Sequence, residues 1–469
     1  MRFIKLPTLA CLISAFLLGG VAYAGNNDCA NTIDNKTYLY RVSLKDKKGT
    51  PFSLGNPQMF LSKKALERRK KQGIEVDSTD LPITPDYISA IAASSGGKVL
   101  SMSKWNNTVL VMVDGKAAAK TLQNLPFVTS VEKVFTSPDS VAKPVRSQYV
   151  DELETKINID DPYGAAATNI DLVNGRKLHQ MGFKGRGITI AVVDGGFMNV
   201  DRIPAMKRVR IKGARDFVAL RTTDVYIEHD HGTRVLSTIA LNEEGAFVGT
   251  APEAEFWLLR AEDTHTESLA EEDYWAAAVE FADSVGADIV SSSLGYQEFD
   301  DKETNHKYYE LDGKHALISK TASMLASKGI IHVNSAGNAG MGTWKKINFP
   351  ADATDILAVG AVNSKGVNAT FSSVGPSDDG RVKPDVVALG SFTAVVNGRG
   401  KQQNDMGTSF ACPIIAGMVA CLWQAAPGKT AFEVMDAVRK SGDNYNTPNN
   451  VFGYGVPDFM KAYSILEGK

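Results

Sequence analysis

Four side chains in this chain of 469 residues have the types and placement that acyl transfer needs. Ser409 stands in NDMGTSFACPIIAG ahead of an apolar helical run, His231 opens HGTRVLSTIAL, Asp194 ends ITIAVVD, and Asn338 closes IIHVNSAGN. A serine hydroxyl is a poor nucleophile until a neighbouring base takes its proton, and the base in turn needs a group to orient it. The oxyanion that forms then needs a donor, which a carboxamide N–H supplies. Taken singly, each residue has a plainer explanation. Ser409 is a natural helix N-cap, with Pro413 tolerated near the helix start, while Asp194 and Asn338 suit turns. His229 and His231 raise a metal pair, but i,i+2 spacing does not align ligands on one helix face, and no Cys or third His accompanies them. Taken together, the four fill the roles of nucleophile, base, base-orienter and oxyanion donor, each at the end of a strand or the start of a helix.

The elements that must position them read as a doubly wound α/β domain with a mostly parallel sheet. ITIAVVD, AEFWLLRAE, ADIVSSSLG, IIHVNSAG and DILAVGAV are dense in β-branched and apolar residues, as strands covered on both faces are. YWAAAVEFADSVG, ALISKTASMLASKG and the helix after Ser409 supply the cover, and TAFEVMDAVRKSG and PDFMKAYSILEG add two more helices. Such sheets bind ligands at the carboxyl ends of their strands. Ahead of this lies a small α+β unit. TYLYRVSL is a strand, KALERRKKQG and TPDYISAIAASSGG are helices, KVLSMSKWNNTVLVMV is two strands turning at Asn106-Asn107, GKAAAKTLQNLP is a short helix and VTSVEKVF a last strand. Pro138, Pro144 and Pro162 mark a linker between the two. The expected domains are therefore a signal peptide at 1–24, the α+β unit at 25–136, a linker at 137–165 and the α/β domain at 166–469.

Lys plus Arg number 51 and Asp plus Glu 53, a balance that points to no nucleic-acid or anionic-surface partner. Arg2 and Lys5 precede the apolar run Leu9 to Val21, and Ala22-Tyr23-Ala24 has the small-x-small form of a signal peptidase site, so export to the periplasm or outside the cell is expected. The run is short and interrupted by Ser14, Gly19 and Gly20, which argues against a stable membrane anchor. Cys11 sits ahead of most of that run, not after it, and is a poor lipidation site. Past the signal, Cys29, Cys412 and Cys421 are an odd number, so no disulfide framework is expected; Cys412 and Cys421 share one helix too far apart to bridge.

Residues 190 to 425 resemble the catalytic domain of a subtilase, a subtilisin-like serine protease, through VVDGG around Asp194, HGTRV around His231, SAGN at Asn338 and GTSFACP around Ser409. The chain order Asp, His, Ser is that of subtilisin. SLG at 293 to 295 and FSSVGPSDDGRVKPDVVALG at 371 to 390 resemble further family segments. GGKVLSMSKWNNTVLVMVDGKAAAKTLQNLPFVTSVEKV resembles the second half of the subtilase propeptide, a ferredoxin-like inhibitor and folding chaperone. The resemblance implies a secreted endopeptidase working through an acyl-enzyme. Ser409 attacks, His231 moves the proton, Asp194 orients His231, and Asn338 with the Ser409 backbone N–H meets the oxyanion.

Substrate main chain is expected to pair with Ser293, Leu294 and Gly295, opposite a second wall at Arg260 to Thr264, with the 296 to 316 loop bordering the cleft. The implied partners are protein or peptide substrates and the chain's own propeptide, an intramolecular inhibitor released by cleavage in the linker. No cofactor or catalytic metal is expected; a structural calcium ion is left open, with no EF-hand pattern to hold it. Two places depart from the family pattern. Gly195 stands where Ser or Thr usually follows the aspartate, and Ile414 where a His usually follows the proline. A catalytically inactive subtilase-fold binding protein would show damage among the four residues, and all are intact. A nucleotide-binding enzyme would need a glycine-rich phosphate loop that VVDGGF lacks.

Overall fold

Strand β1 (Thr37–Leu44) is buried along almost its whole length, which its alternating sequence alone does not require. The reason is that it is covered on both faces. It belongs to an N-terminal domain that continues through α1 (Lys63–Lys71), α2 (Pro85–Ser95), β2 (Lys98–Ser103), β3 (Thr108–Asp114), α3 (Ala118–Gln123) and β4 (Val128–Thr136). The antiparallel order β2-β3-β1-β4, with α2 and α3 as crossovers, is the ferredoxin-like arrangement. Tyr38, Tyr40, Val42 and Leu44 pack with Ile91 and Leu122 of α2 and α3, whereas Leu39 faces the other way into the core of the larger domain. The computed structural model describes residues 36–116, 118–138, 160–218 and 224–469. The signal-peptide reading at 1–24, Cys29 and residues 139–159 of the linker lie outside the described residues.

Beyond the linker come α4 (Ala167–Asp171), α5 (Arg176–Gln180), β5 (Thr189–Asp194), β6 (Arg210–Asp216), α6 (His231–Ala240), the short pair β7 (Asn242–Glu243) and β8 (Phe247–Val248), β9 (Glu255–Arg260), α7 (Ala270–Val285) and β10 (Ile289–Ser292). They are followed by α8 (Leu317–Met324), β11 (Ile331–Ser335), β12 (Leu357–Val362), β13 (Val386–Leu389), the hairpin β14 (Ser391–Val396) and β15 (Gln402–Met406), α9 (Thr408–Ala425), α10 (Ala431–Ser441) and α11 (Phe459–Leu466). Seven strands form one parallel sheet in the order β13-β12-β11-β10-β5-β9-β6. In β5, Ile190 and Val192 point into the layer containing α6 and α9, while Ala191 and Val193 point into the layer containing α7 and α8. Two covered faces are why ITIAVV has no polar alternation.

The chain leaves β5 in one direction toward β9 and β6 and in the other toward β10 and β11, so a crevice opens at the carboxyl ends between the two halves. Helix α9 is long and apolar enough to cross a membrane, but 89% of it is buried, so its apolar surface is spent on the core. Cys412 and Cys421 are free buried thiols on that helix. The 296 to 316 segment is less of an exposed loop than its polar composition suggests. Tyr296, Phe299 and Leu311 are buried, and the Tyr296 and Phe349 backbones exchange two hydrogen bonds at 2.8 and 3.0 Å.

Candidate active site

Asp194 ends β5 with no side-chain exposure worth the name, 0% for the residue, and its carboxylate points to the carboxyl edge of the sheet. Oδ1 accepts from the Gly195 N–H at 2.8 Å. His231 Nδ1 donates to the same carboxylate at 2.8 Å and 3.0 Å from its two oxygens. That contact requires α6 to start hard against the turn after β5, which explains the glycine after the histidine. A Cβ on Gly232 would lie 2.4 Å from Gly196 O, whereas the Gly232 N–H donates to that same oxygen at 3.0 Å. Burial pulls the imidazole of His231 down, but the charge and hydrogen bond of Asp194, with Glu262 adding to them, carry it above its ordinary value. His229 is pushed the other way by burial, and its Nδ1 accepts the His231 backbone N–H at 3.1 Å. The His229 ring therefore closes the start of α6.

Ser409 sits at the second position of α9, two residues past the N-cap, which is Gly407. It is thus not the cap that its sequence context suggests. Asn338, from the loop after β11, takes the capping role instead. Its Oδ1 accepts the Thr408 N–H at 2.9 Å and the Thr408 hydroxyl at 3.1 Å. Holding Oδ1 there leaves the Nδ2 donors of an exposed carboxamide facing the cleft beside the N-terminal N–H groups of α9, which have no intrahelical acceptor. Pro413 lies in the second turn, not at the helix start, and it cannot donate to Ser409 O four residues back. Ser293 replaces that lost bond, its hydroxyl donating to Ser409 O at 2.8 Å. Ser409 Oγ donates in return to Ser293 O at 3.2 Å.

A cleft of about 380 Å³ brings His231, Ser409 and Asn338 together with Ser293, Leu294 and Gly295, the carboxyl-end extension of β10. Asp194 lies behind His231, out of the cleft. From the expected second wall, Glu262 and Thr264 line the cleft, but Arg260 does not. It is fully buried, bonded to Asp216 at 2.9 Å and to Gly195 O at 3.1 Å, so it braces the turn after Asp194. Gln297 lines the cleft from the 296 to 316 segment. Asn348 does so too, and sequence reasoning missed it because it stands in a stretch with no periodicity. Among the described residues no group of three or more His, Cys, Asp or Glu is placed to hold a metal ion. A larger cavity, of about 630 Å³ between α1 and the Arg186 to Ile188 turn, contains neither Ser, Cys nor His among its lining residues.

The arrangement places a buried carboxylate, an imidazole with its second nitrogen toward the cleft, a hydroxyl and two kinds of N–H donor around one space, which is the equipment of acyl transfer. Comparison with known proteins agrees. Residues 185–455 match the model of the Subtilase family, and residues 39–149 match that of the Peptidase S8 propeptide domain, Bacteroidota. The chain is 28% identical over 368 residues to Subtilisin NAT of Bacillus subtilis subsp. natto, covering 78% of this chain and 82% of that protein. It is 28% identical over 304 residues to Subtilisin of Bacillus pumilus, covering 64% and 98%. Against the Membrane-bound transcription factor site-1 protease of Mus musculus it is 29% identical over 303 residues, covering 62% of this chain and 26% of that protein.

Proposed function

Since the chain belongs to the subtilase family of serine peptidases and carries an N-terminal propeptide domain, we propose that it is an exported endopeptidase in which Asp194, His231 and Ser409 form the catalytic triad. The observation that carries this reading is that His231, held from behind by Asp194 at 2.8 Å, faces the same cleft as Ser409 at the start of α9. Ser409 Oγ turns from Ser293 O to His231 Nε2 as substrate enters, and attacks the scissile carbonyl. His231 accepts the proton and returns it to the leaving amine, and Asp194 holds the tautomer and stabilises imidazolium. Asn338 Nδ2 and the Ser409 N–H stabilise the oxyanion at the positive end of α9. A water then attacks the acyl-enzyme by the same route in reverse. Substrate main chain adds as a strand beside Ser293, Leu294 and Gly295, so backbone hydrogen bonds supply affinity and side-chain pockets supply preference.

The propeptide domain assists folding and inhibits until the chain is cut in the 137–165 linker, and the leader at 1–24 directs export. Labelling with a fluorophosphonate tests the central claim. The wild-type protein is expected to take up the label and Ser409→Ala is not; equal labelling of both would remove Ser409 as the nucleophile, and labelling of neither would favour an inactive binding protein.

A further inference from the structure

We infer that Glu262 selects substrates with a lysine or arginine immediately before the residue whose carbonyl is attacked, an inference that rests on the proposed protease activity. The cleft runs across the carboxyl ends of the strands between two banks. One bank is built after β10 and β11 and includes Gly295, Gly337 and Asn348; the other is built after β5 and β9 and includes Glu262 and Thr264, with His231 beside them. Side chains of an extended substrate alternate between the two banks. On the first bank Gly295 and Gly337 pack against the Asn348 side chain, 3.0 and 2.9 Å from where their Cβ atoms would lie, and this bank faces the side chain of the scissile residue. The preceding side chain then faces the second bank, where Glu262 stands.

Glu262 is the one carboxylate among the described residues lining the cleft, and no lysine or arginine lines it. Its carboxyl accepts no hydrogen bond and forms no ion pair within the described chain. The guanidinium two residues earlier cannot serve it, because Arg260 is bonded to Asp216 and to Gly195 O and lies 3.7 Å from Glu228. A second observation fixes where the carboxyl lies. A Cβ on Gly195 would be 3.1 Å from Glu262 Oε2 and 2.8 Å from Thr264 Cγ2. Glu262 and Thr264 thus occupy the space that a side chain at position 195 would need, and this accounts for the glycine here. The carboxyl is therefore held at the turn after Asp194, next to His231.

Burial, with the neighbouring Asp194 charge, pushes the Glu262 carboxyl up to about 8, while His231 acts in the opposite sense. An arriving ammonium or guanidinium supplies the counter-charge this carboxyl lacks, and a hydrogen bond between charged partners in a partly desolvated site discriminates by roughly ten- to a hundredfold against an uncharged side chain of equal length.

The test uses a peptide library randomised at the scissile residue in two versions, with lysine or norleucine immediately before it, cleaved above pH 8 by enzyme purified from the full chain and titrated with fluorophosphonate. For the wild type, kcat/KM for lysine over norleucine is expected to be at least tenfold, falling to near one in Glu262→Gln and below one in Glu262→Lys. A wild-type ratio at or below one, or a high ratio that survives Glu262→Gln, overturns the inference and leaves the protease reading standing. If neither library is cut and Ser409 takes no label, both fall.

Discussion

The charges that join the N-terminal domain to the larger domain and the charges in the cleft are arranged in opposite ways. At the domain junction every carboxylate is met. Asp273 takes two bonds from Arg41 Nε at 3.0 Å and one from Nη2 at 2.7 Å. Asp283 is shared by Arg68 and by Arg69, whose Nη2 also reaches Asp80 at 3.0 Å, and Lys328 pairs with Asp77 at 2.9 Å. All of Arg68, Arg69, Asp80, Asp283 and Lys328 are buried. In the cleft, by contrast, among the described residues Asn338 has only its oxygen engaged, Glu262 has no partner, and His231 is paired on one nitrogen only. The buried carboxylates that hold the two domains together are paired, because an unmatched one would cost stability. The groups proposed to act on a substrate are the ones left partly unmatched, as that proposal requires if the substrate brings in the missing partner.

Breaking the first half of this contrast gives the largest expected effect. Asp283→Ala strips two buried guanidinium groups of their shared anion, which costs about 3–5 kcal/mol. In a Ser409→Ala background chosen to prevent self-cleavage, the unfolding free energy of the full chain from a urea melt should fall by that amount, with a lower midpoint; an unchanged free energy would mean that the arginines do not hold the domains together. Breaking the second half comes next. Asn338→Leu removes the carboxamide donor and should lower kcat by about 10²–10³. KM should hold, since the donor acts on charge that develops only in the transition state. A fall in KM-governed binding with normal kcat would place Asn338 in substrate binding instead.

The smallest effect sharpens the contrast. Glu280 on α7 lies under the β2–β3 turn, accepting from Ser103 Oγ at 2.5 Å, Lys104 N at 2.8 Å and Trp105 N at 3.0 Å. Burial pushes it up to about 7, despite those donors and Lys104. Once the N-terminal domain departs, an exposed Glu titrates near 4.3. The docked state therefore holds this proton more tightly, so docking is strongest below the free value and weakens as pH rises toward about 7. Dissociation of the nicked complex should accelerate from pH 5 to 7 in the wild type and change less in Glu280→Gln; matching profiles would assign the pH response to other groups.

Much of this architecture was legible from residue order. The parallel strands were readable because two covered faces demand uninterrupted apolar runs, and β5 and β12 have them. Asp194, His231, Asn338 and Ser409 stood out because each ends a strand or begins a helix. What could not be read was which side chain completes which bond. Ser409 looks like a cap, yet Asn338, 71 positions earlier, does the capping. Pro413 looks like a helix starter, yet its effect is to free Ser409 O for Ser293. Arg260 looks like a cleft wall, but its guanidinium turns inward to Asp216. Asn348 carries no local signal at all.

By itself the sequence determined the fold class, the two-domain order and the four chemical groups, since these depend on local periodicity and on residue type. Only the tertiary structure decided that a carboxylate and an imidazole 37 positions apart lie 2.8 Å from each other, that the space beside Gly195 belongs to Glu262, and that α7 is shared between two domains. Those are distances between elements that the sheet order brings together, and no local pattern in the chain carries them.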